Sequence, residues 1–156
     1  MIRSFVPEDI EYVIRSHTEI YGNEYNFDDS FKTFIQDSTS RFVSSFDPTN
    51  ENLWIAEIDG RPVGSIAIIK VGQGTAQLRW FLLEPEARGK SLGHRLMQTA
   101  IDFAKEKGYQ RIFLWTSNLH LAARFLYNQY GFQITETSEE IRSEISLVEE
   151  RWEKIL

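Results

Sequence analysis

Cysteine is absent from the chain, so neither a disulfide framework nor a thiolate metal site is open to it, and the reducing cytoplasm is the compartment this implies. Proline and glycine are sparse, at 4 and 9 residues, which argues against low-complexity linkers. No apolar run is long enough for a membrane span. Met1-Ile2-Arg3-Ser4-Phe5 lacks the long apolar segment of a signal peptide. Positive charge is in deficit: 17 Lys and Arg stand against 23 Asp and Glu, a net −6. That argues against a nucleic-acid partner, which wants a basic face, and leans slightly towards cationic small molecules. The three histidines, His17, His94 and His120, show no metal-ligand spacing, so no metal is expected. What remains is 42% hydrophobic and 26% charged over 156 residues, which reads as one globular domain spanning residues 1–156.

The chain is punctuated into a strand, two helices, a three-strand meander, a helix, a strand, a helix and two strands. Ile2 to Phe5 is the first strand, and Pro7-Glu8-Asp9 opens a helix towards Tyr21 that Gly22 and Asn23 break. Phe31 to Phe46 carries a second helical apolar set. Strands are expected at Trp54 to Ile58, Val63 to Val71 and Thr75 to Leu83, with Asp59-Gly60 as a tight hairpin turn. Leu92, Leu96, Ala100, Phe103 and Ala104 form a helical stripe that Gly108 ends. A strand at Arg111 to Thr116, a helix at His120 to Tyr130, and strands at Phe132 to Thr137 and Val148 to Leu156 complete an α/β domain with a mixed sheet.

Arg88-Gly89-Lys90-Ser91-Leu92-Gly93 lies between a strand and a helix N-terminus, where free N–H groups and the helix dipole favour an anion such as a pyrophosphate. The glycines allow close backbone approach, and Arg88 and Lys90 add charge. A plain turn with solvated basic residues remains the alternative on spacing alone. Gly89-Lys90-Ser91 spells the end of an NTPase phosphate loop, but the glycine needed five positions before Gly89 is Glu84, so that motif fails. The G-x-G-x-x-G dinucleotide spacing is absent as well.

The segment Leu82 to Gly93 resembles the acetyl-CoA motif of the GNAT superfamily, Q/R-x-x-G-x-G/A. Arg88, Leu92 and Gly93 match it, and Ser91 replaces the usual middle glycine. The serine still offers its N–H, and binding survives there on a negative φ. Ala123, Tyr127, Gly131 and Phe132 resemble the second signature, A-x-x-x-Y-x-x-x-G-F. The likeness extends over nearly the whole chain. It is close to GNAT domains fused to winged-helix regulators, through Trp54-Ile55-Ala56-Glu57, Glu84-Pro85-x-Ala87-Arg88-Gly89, Leu114-Trp115-Thr116 and Ala122-Ala123-Arg124. The resemblance implies a GNAT-type mixed, mostly antiparallel central sheet flanked by helices. It implies an acetyl-CoA-dependent N-acetyltransferase acting on a primary amine of a small molecule or peptide. An acyl-CoA-binding or sensing module without turnover is the alternative, and a homodimer is left open.

Amine acetylation needs a neutral amine, fixed donors on the thioester carbonyl and a proton for the departing thiolate. The resemblance assigns the pantetheine arm and carbonyl to backbone around Leu82 and Leu83, the pyrophosphate to the N–H groups of Ser91, Leu92, Gly93 and His94, and the thiolate proton to Tyr127. Gly89, Lys90, Asn118, His120 and Ala123 complete the expected cofactor contacts. The glutamate base common on the third meander strand is missing, since Gln77 and Arg79 stand there. Glu24, Asp28, Asp29 and Glu84 are candidates elsewhere, each more readily a solvated surface acid, and a water chain leading to bulk is an equal alternative. His120 reads as a surface histidine at a helix start, with CoA contact or a base role as alternatives. Glu24, Asp28 and Asp29 among Tyr21, Tyr25 and Phe27 suggest an acidic, aromatic mouth for a cation, with no anionic acceptor.

Overall fold

The computed structural model describes residues 1–156. Strand β1 (Ile2–Ser4) precedes helices α1 (Asp9–Tyr25) and α2 (Asp29–Ser44). The meander is β2 (Asn52–Ile58), β3 (Arg61–Gly72) and β4 (Thr75–Leu83). Helix α3 (Leu92–Glu106), strand β5 (Arg111–Ser117), helix α4 (Leu121–Gln129) and strands β6 (Gln133–Arg142) and β7 (Ile145–Ile155) follow. All seven strands form one sheet in the order β1-β2-β3-β4-β5-β7-β6, antiparallel except at β4 and β5. The expected mixed, mostly antiparallel sheet flanked by helices is therefore present. No helix is long and apolar enough to cross a membrane.

Two elements run longer than their sequence pattern suggests. Gly22 and Asn23 do not break α1, although a mid-helix glycine costs about 1 kcal/mol. The helix continues to Tyr25 and ends at Asn26, whose φ of 58° is the left-handed cap. Tyr21 is the reason it can: it stacks on Phe31 of α2 at 4.8 Å and meets Tyr25 edge-on at 5.4 Å, packing on both sides of the glycine. The β6–β7 hairpin extends through residues 138–147, turning at Ser143 and Glu144 with φ of 51° and 64°. The polar run Glu136 to Glu140 hides this strand from periodicity, because β6 is an exposed sheet edge.

Two cores lie on opposite faces of the sheet. One packs Val63, Ile66, Leu78, Ile112 and Leu114 against Leu96, Met97 and Ile101 of α3. The other packs Leu53, Ile55, Ala67 and Trp80 under Val13, Ile35 and Phe42 of α1 and α2. Strand β4 contributes to both because it carries a bulge. Ser65 pairs with Leu82 and Ala67 with Arg79, so two residues, Trp80 and Phe81, oppose Ile66 alone. Trp80 takes φ +49° and its carbonyl accepts from the Ser65 hydroxyl at 2.6 Å. An extra residue inverts the in–out alternation. Ala76 and Leu78 thus point to the α3 side, while Arg79 and Trp80 both serve the α1–α2 side.

Candidate active-site cleft

Strands β4 and β5 pair over only three positions, Thr75 with Arg111, Ala76 with Ile112 and Gln77 with Phe113. Beyond Gln77 they diverge, and the β5-facing edge of β4 has no ladder partner through Leu83. Unpaired strand edges offer N–H and C=O groups to any extended chain laid beside them. The splay opens a cleft of about 1510 Å³, walled by α1 and α2, by β4 and the starts of α3 and α4, and by the β6–β7 hairpin.

At one end of the cleft the segment after β4 turns into α3. The first N–H of this stretch with a backbone partner is that of Arg95, bonded to the Ser91 carbonyl at 3.1 Å; those of Gly89 to His94 have none. The helix dipole adds partial positive charge to this row of donors. Gly89 and Ser91 both lie in the left-handed region, at φ +78° and +63°. Ser91 therefore does not take the negative φ expected of a serine. It adopts the conformation a glycine would take, and its side chain makes no capping hydrogen bond. Gly93 lets α3 approach closely: a Cβ there would lie 3.3 Å from Leu83 Cδ1.

The cleft wall includes Leu82, Leu83, Arg88, Gly89, Ser91, Gly93, His94, His120, Ala123 and Tyr127. Three of the expected cofactor residues keep their side chains out of the cleft wall, although the N–H groups of Lys90 and Leu92 remain in the donor row. The Leu92 side chain is buried in the α3 core, because the helix stripe claims it. Lys90 points to solvent outside the cleft wall. Asn118 ties β5 to β7, its amide oxygen accepting from the Val148 N–H at 2.8 Å and its own N–H donating back to the Val148 carbonyl at 2.9 Å. Arg88 is in the wall but already engaged. Its guanidinium donates twice to Glu24, at 3.1 and 2.9 Å, joining the end of α1 to the anion loop.

That contact also dismantles the expected acidic mouth. Glu24 is neutralised by Arg88. Asp28 caps α2 by accepting from the Ser30 N–H at 3.0 Å, and Asp29 is exposed in the helix's first turn, both outside the cleft wall. Glu84 lies outside it too, near Arg61. The aromatics do line the cleft: Tyr21, Tyr25 and Phe27 stand together on its α1 wall.

Buried titratable groups occupy the centre, with Glu24 the carboxylate that acts on His120. Tyr127 is buried against Phe81, Phe132 and Trp152, and no protein group bonds its hydroxyl. Burial, then the nearby Tyr21, pushes that hydroxyl's pKa well above its usual range, so it stays a donor at neutral pH. His120 is not a surface histidine. Its ring sits 4.5 Å from Tyr25 and 4.9 Å from Tyr21, its Nδ1 lies 2.9 Å from the Thr116 hydroxyl, and its Nε2 is buried without a partner. His17 is deeper still. Its Nδ1 lies 2.8 Å from the Val13 carbonyl, which only accepts, so Nδ1 carries the proton and Nε2 is an unpartnered lone pair. Burial lowers both imidazoles to about 4. Sequence reasoning passed over His17; its place in the buried stripe Tyr12, Val13, Ser16, His17 and Ile20 was the available signal.

A family model described as the acetyltransferase (GNAT) family matches residues 11–132. Human N-acetyltransferase 8B is 30% identical over 116 residues, 71% of this chain and 50% of that protein. The chain spans about half the length, or less, of the curated relatives it matches. An acetyltransferase from Streptococcus agalactiae superposes with a TM-score of 0.82 at 23% identity, over 100% of this chain and 98% of that one. A Bacillus anthracis structure in complex with acetyl coenzyme A superposes at 0.64 and 23% identity, over 74% of this chain and 68% of its own.

Proposed function

The chain belongs to the acetyltransferase (GNAT) family, and from that premise we propose that it moves the acetyl group of acetyl-CoA to a primary amine of a small molecule or peptide by direct transfer. One observation carries the reading. The partnerless N–H row at the start of α3, the open edge of β4 and the Tyr127 hydroxyl all face one cleft. These features fit acetyl-CoA: a helix N-terminus for its pyrophosphate, a strand edge for its amide-bearing arm and a donor for its sulfur. Bound there, acetyl-CoA supplies an acyl group activated as a thioester.

The chain's own groups then divide the work. Backbone N–H groups along the free edge of β4 polarise the carbonyl. The amine forms the new C–N bond as the C–S bond breaks, and the departing thiolate takes the Tyr127 proton. The proton lost by the amine passes towards the neutral imidazoles, the less buried His120 first and the deeper His17 beyond it. In each ring Nδ1–H can keep its oxygen partner while Nε2 gains or loses a proton, since Thr116 and Val13 both accept. No acid stands at Gln77 or Arg79 of β4, which leaves the proton's route to these uncharged imidazoles. The absence of cysteine supports a cytoplasmic setting.

The test is release of CoA from acetyl-CoA over a panel of amines, read with a thiol-reactive dye to which the cysteine-free protein contributes nothing. Amine-dependent thiol release supports transfer. Calorimetric acetyl-CoA binding without turnover on any amine would favour the acyl-CoA-binding module, a reading that Gln77 and Arg79 in place of a strand glutamate keep in play. Absence of acetyl-CoA binding would remove both.

A further inference from the structure

Eleven arginines occur in the chain, and seven have a carboxylate within 4.0 Å. Of the remaining four, Arg15, Arg41 and Arg95 are exposed and Arg79 alone is withdrawn from solvent. Its side chain makes no hydrogen bond, so all five donors of a half-buried guanidinium are unused. A charge held in that state costs stability, because desolvation is not repaid by pairing. Burial lowers its pKa, and the like charge of Arg41 lowers it further. The carboxylate that acts on it, Glu51, is committed: its two oxygens accept from the N–H groups of Asp47 and Lys70, each at 2.9 Å.

The position is built rather than incidental. The bulge puts Arg79 and Trp80 on the same side of β4, the side facing α2. Phe34, Ser38 and Arg41 repeat along the cleft-facing side of α2 at helical spacing, bringing Arg41 to the same wall. The other cleft arginines are already neutralised, Arg88 by Glu24 and Arg142 by Glu149. Glu136 and Glu140 line the cleft from the β6 wall, with Ser138 donating to Glu140 at 2.9 Å. The cleft is thus polarised, with unpaired cations at the α2–β4 wall and carboxylates at the hairpin wall.

We infer that Arg79, assisted by Arg41, binds a carboxylate on the acceptor, so that the amine acetylated here belongs to a molecule bearing both an amino and a carboxylate group. This rests on the transferase reading and narrows it. It also reverses the expectation from sequence that an acidic mouth would exclude an anionic acceptor. A single carboxylate suits the site better than a phosphate dianion, because Glu136 and Glu140 oppose excess negative charge across the cleft. The feature belongs to the acceptor half, separate from the α3 N–H row that serves the cofactor.

The experiment compares matched acceptors: ω-aminocarboxylates and L-α-amino acids, each beside the alkylamine or amino-acid amide lacking the carboxylate. A carboxylate-bearing acceptor should show a kcat/KM roughly 10–100-fold above its neutral partner, as for one charged hydrogen-bonded contact. Arg79→Gln should abolish that preference through KM, with kcat and the KM for acetyl-CoA little changed. Its melting temperature should hold or rise, since an unpaired charge is removed. Equal use of both acceptor forms, or a preference that survives Arg79→Gln, would overturn the inference while leaving the transferase intact. If no amine turns over, Trp80, the next residue along the bulge and also in the cleft wall, still reports. Saturable quenching of its fluorescence by glutarate but not glutaramide, lost in Arg79→Gln, supports the site; no difference between the two overturns it.

Discussion

Ser91→Gly should make the protein more stable without weakening acetyl-CoA binding. Ser91 sits at φ +63° at the N-cap of α3, where an L-residue bears roughly 1–2 kcal/mol of steric cost that glycine does not. Against this, glycine gives the unfolded chain more freedom, worth about 0.5–1 kcal/mol. A serine at an N-cap ordinarily earns its place by accepting a helix N–H, and losing that bond costs about 1 kcal/mol. Here no such bond exists, so nothing is lost with the hydroxyl. The balance is a gain of roughly 0.5–1 kcal/mol, which for a domain of this size raises the melting temperature by about 1–4 °C. Thermal unfolding followed by circular dichroism measures it, with Ser91→Ala as the control. Alanine keeps the left-handed strain, so its midpoint should stay with wild type. Calorimetry should find the acetyl-CoA affinity of the glycine variant equal or improved, since the N–H row keeps its direction. A glycine variant no more stable than the alanine one would show that the strain is absent, and the argument from φ would fail.

Tyr127→Phe keeps the buried ring and removes the hydroxyl; turnover should fall about 100-fold, at the lower end of acid catalysis, with acetyl-CoA affinity unchanged. Undiminished turnover would mean that another group protonates the thiolate. Glu24→Gln should release Arg88 to the anion loop and tighten acetyl-CoA by up to about 5-fold, the limit for a partly exposed pair, with a steeper salt dependence. An unchanged affinity would make Arg88 purely a strut to α1. Acid should unfold the protein through its buried imidazoles. Their folded pKa values, lowered to about 4, lie below the free value near 6.5, so between those limits the unfolded chain binds more protons and stability falls as pH falls. His17→Gln should flatten the decline in melts taken from pH 7 to 4; an unaltered slope would place the titrating group elsewhere.

The elements with strong local periodicity were legible from residues alone. The Leu92, Leu96, Ala100, Ala104 stripe of α3 and the Asp59-Gly60 turn need no partner to be recognised, and Asp59 and Gly60 do take φ of +53° and +76°. The cleft was legible only in half. The anion loop lies in one contiguous stretch, whereas the pairing that occupies Arg88 joins residues 64 positions apart. Asn118 reads as a cofactor contact because it lies two residues before His120, which holds the register of the family's usual asparagine, and the β7 strand claiming it is not visible in sequence. The bulge at Trp80 decides which way Arg79 faces, yet Thr75 to Leu83 reads as ordinary alternation until the β3 register is known. His17 and His120 lie far apart in sequence; only tertiary packing makes them neighbours of the same aromatic wall.

The three-position seam between β4 and β5 has a mechanical consequence. It divides the sheet into two leaves, β1 to β4 and β5 to β7, each stitched throughout by antiparallel ladders. The seam is the natural fold line, and any twist between the leaves changes the width of the cleft before it strains either leaf. A molecule gripping both leaves acts as a brace across that line. Hydrogen exchange should therefore slow on binding acetyl-CoA not only at the α3 loop it touches, but also at the amides of Thr75 to Gln77 and Arg111 to Phe113, on the far side of the wedge.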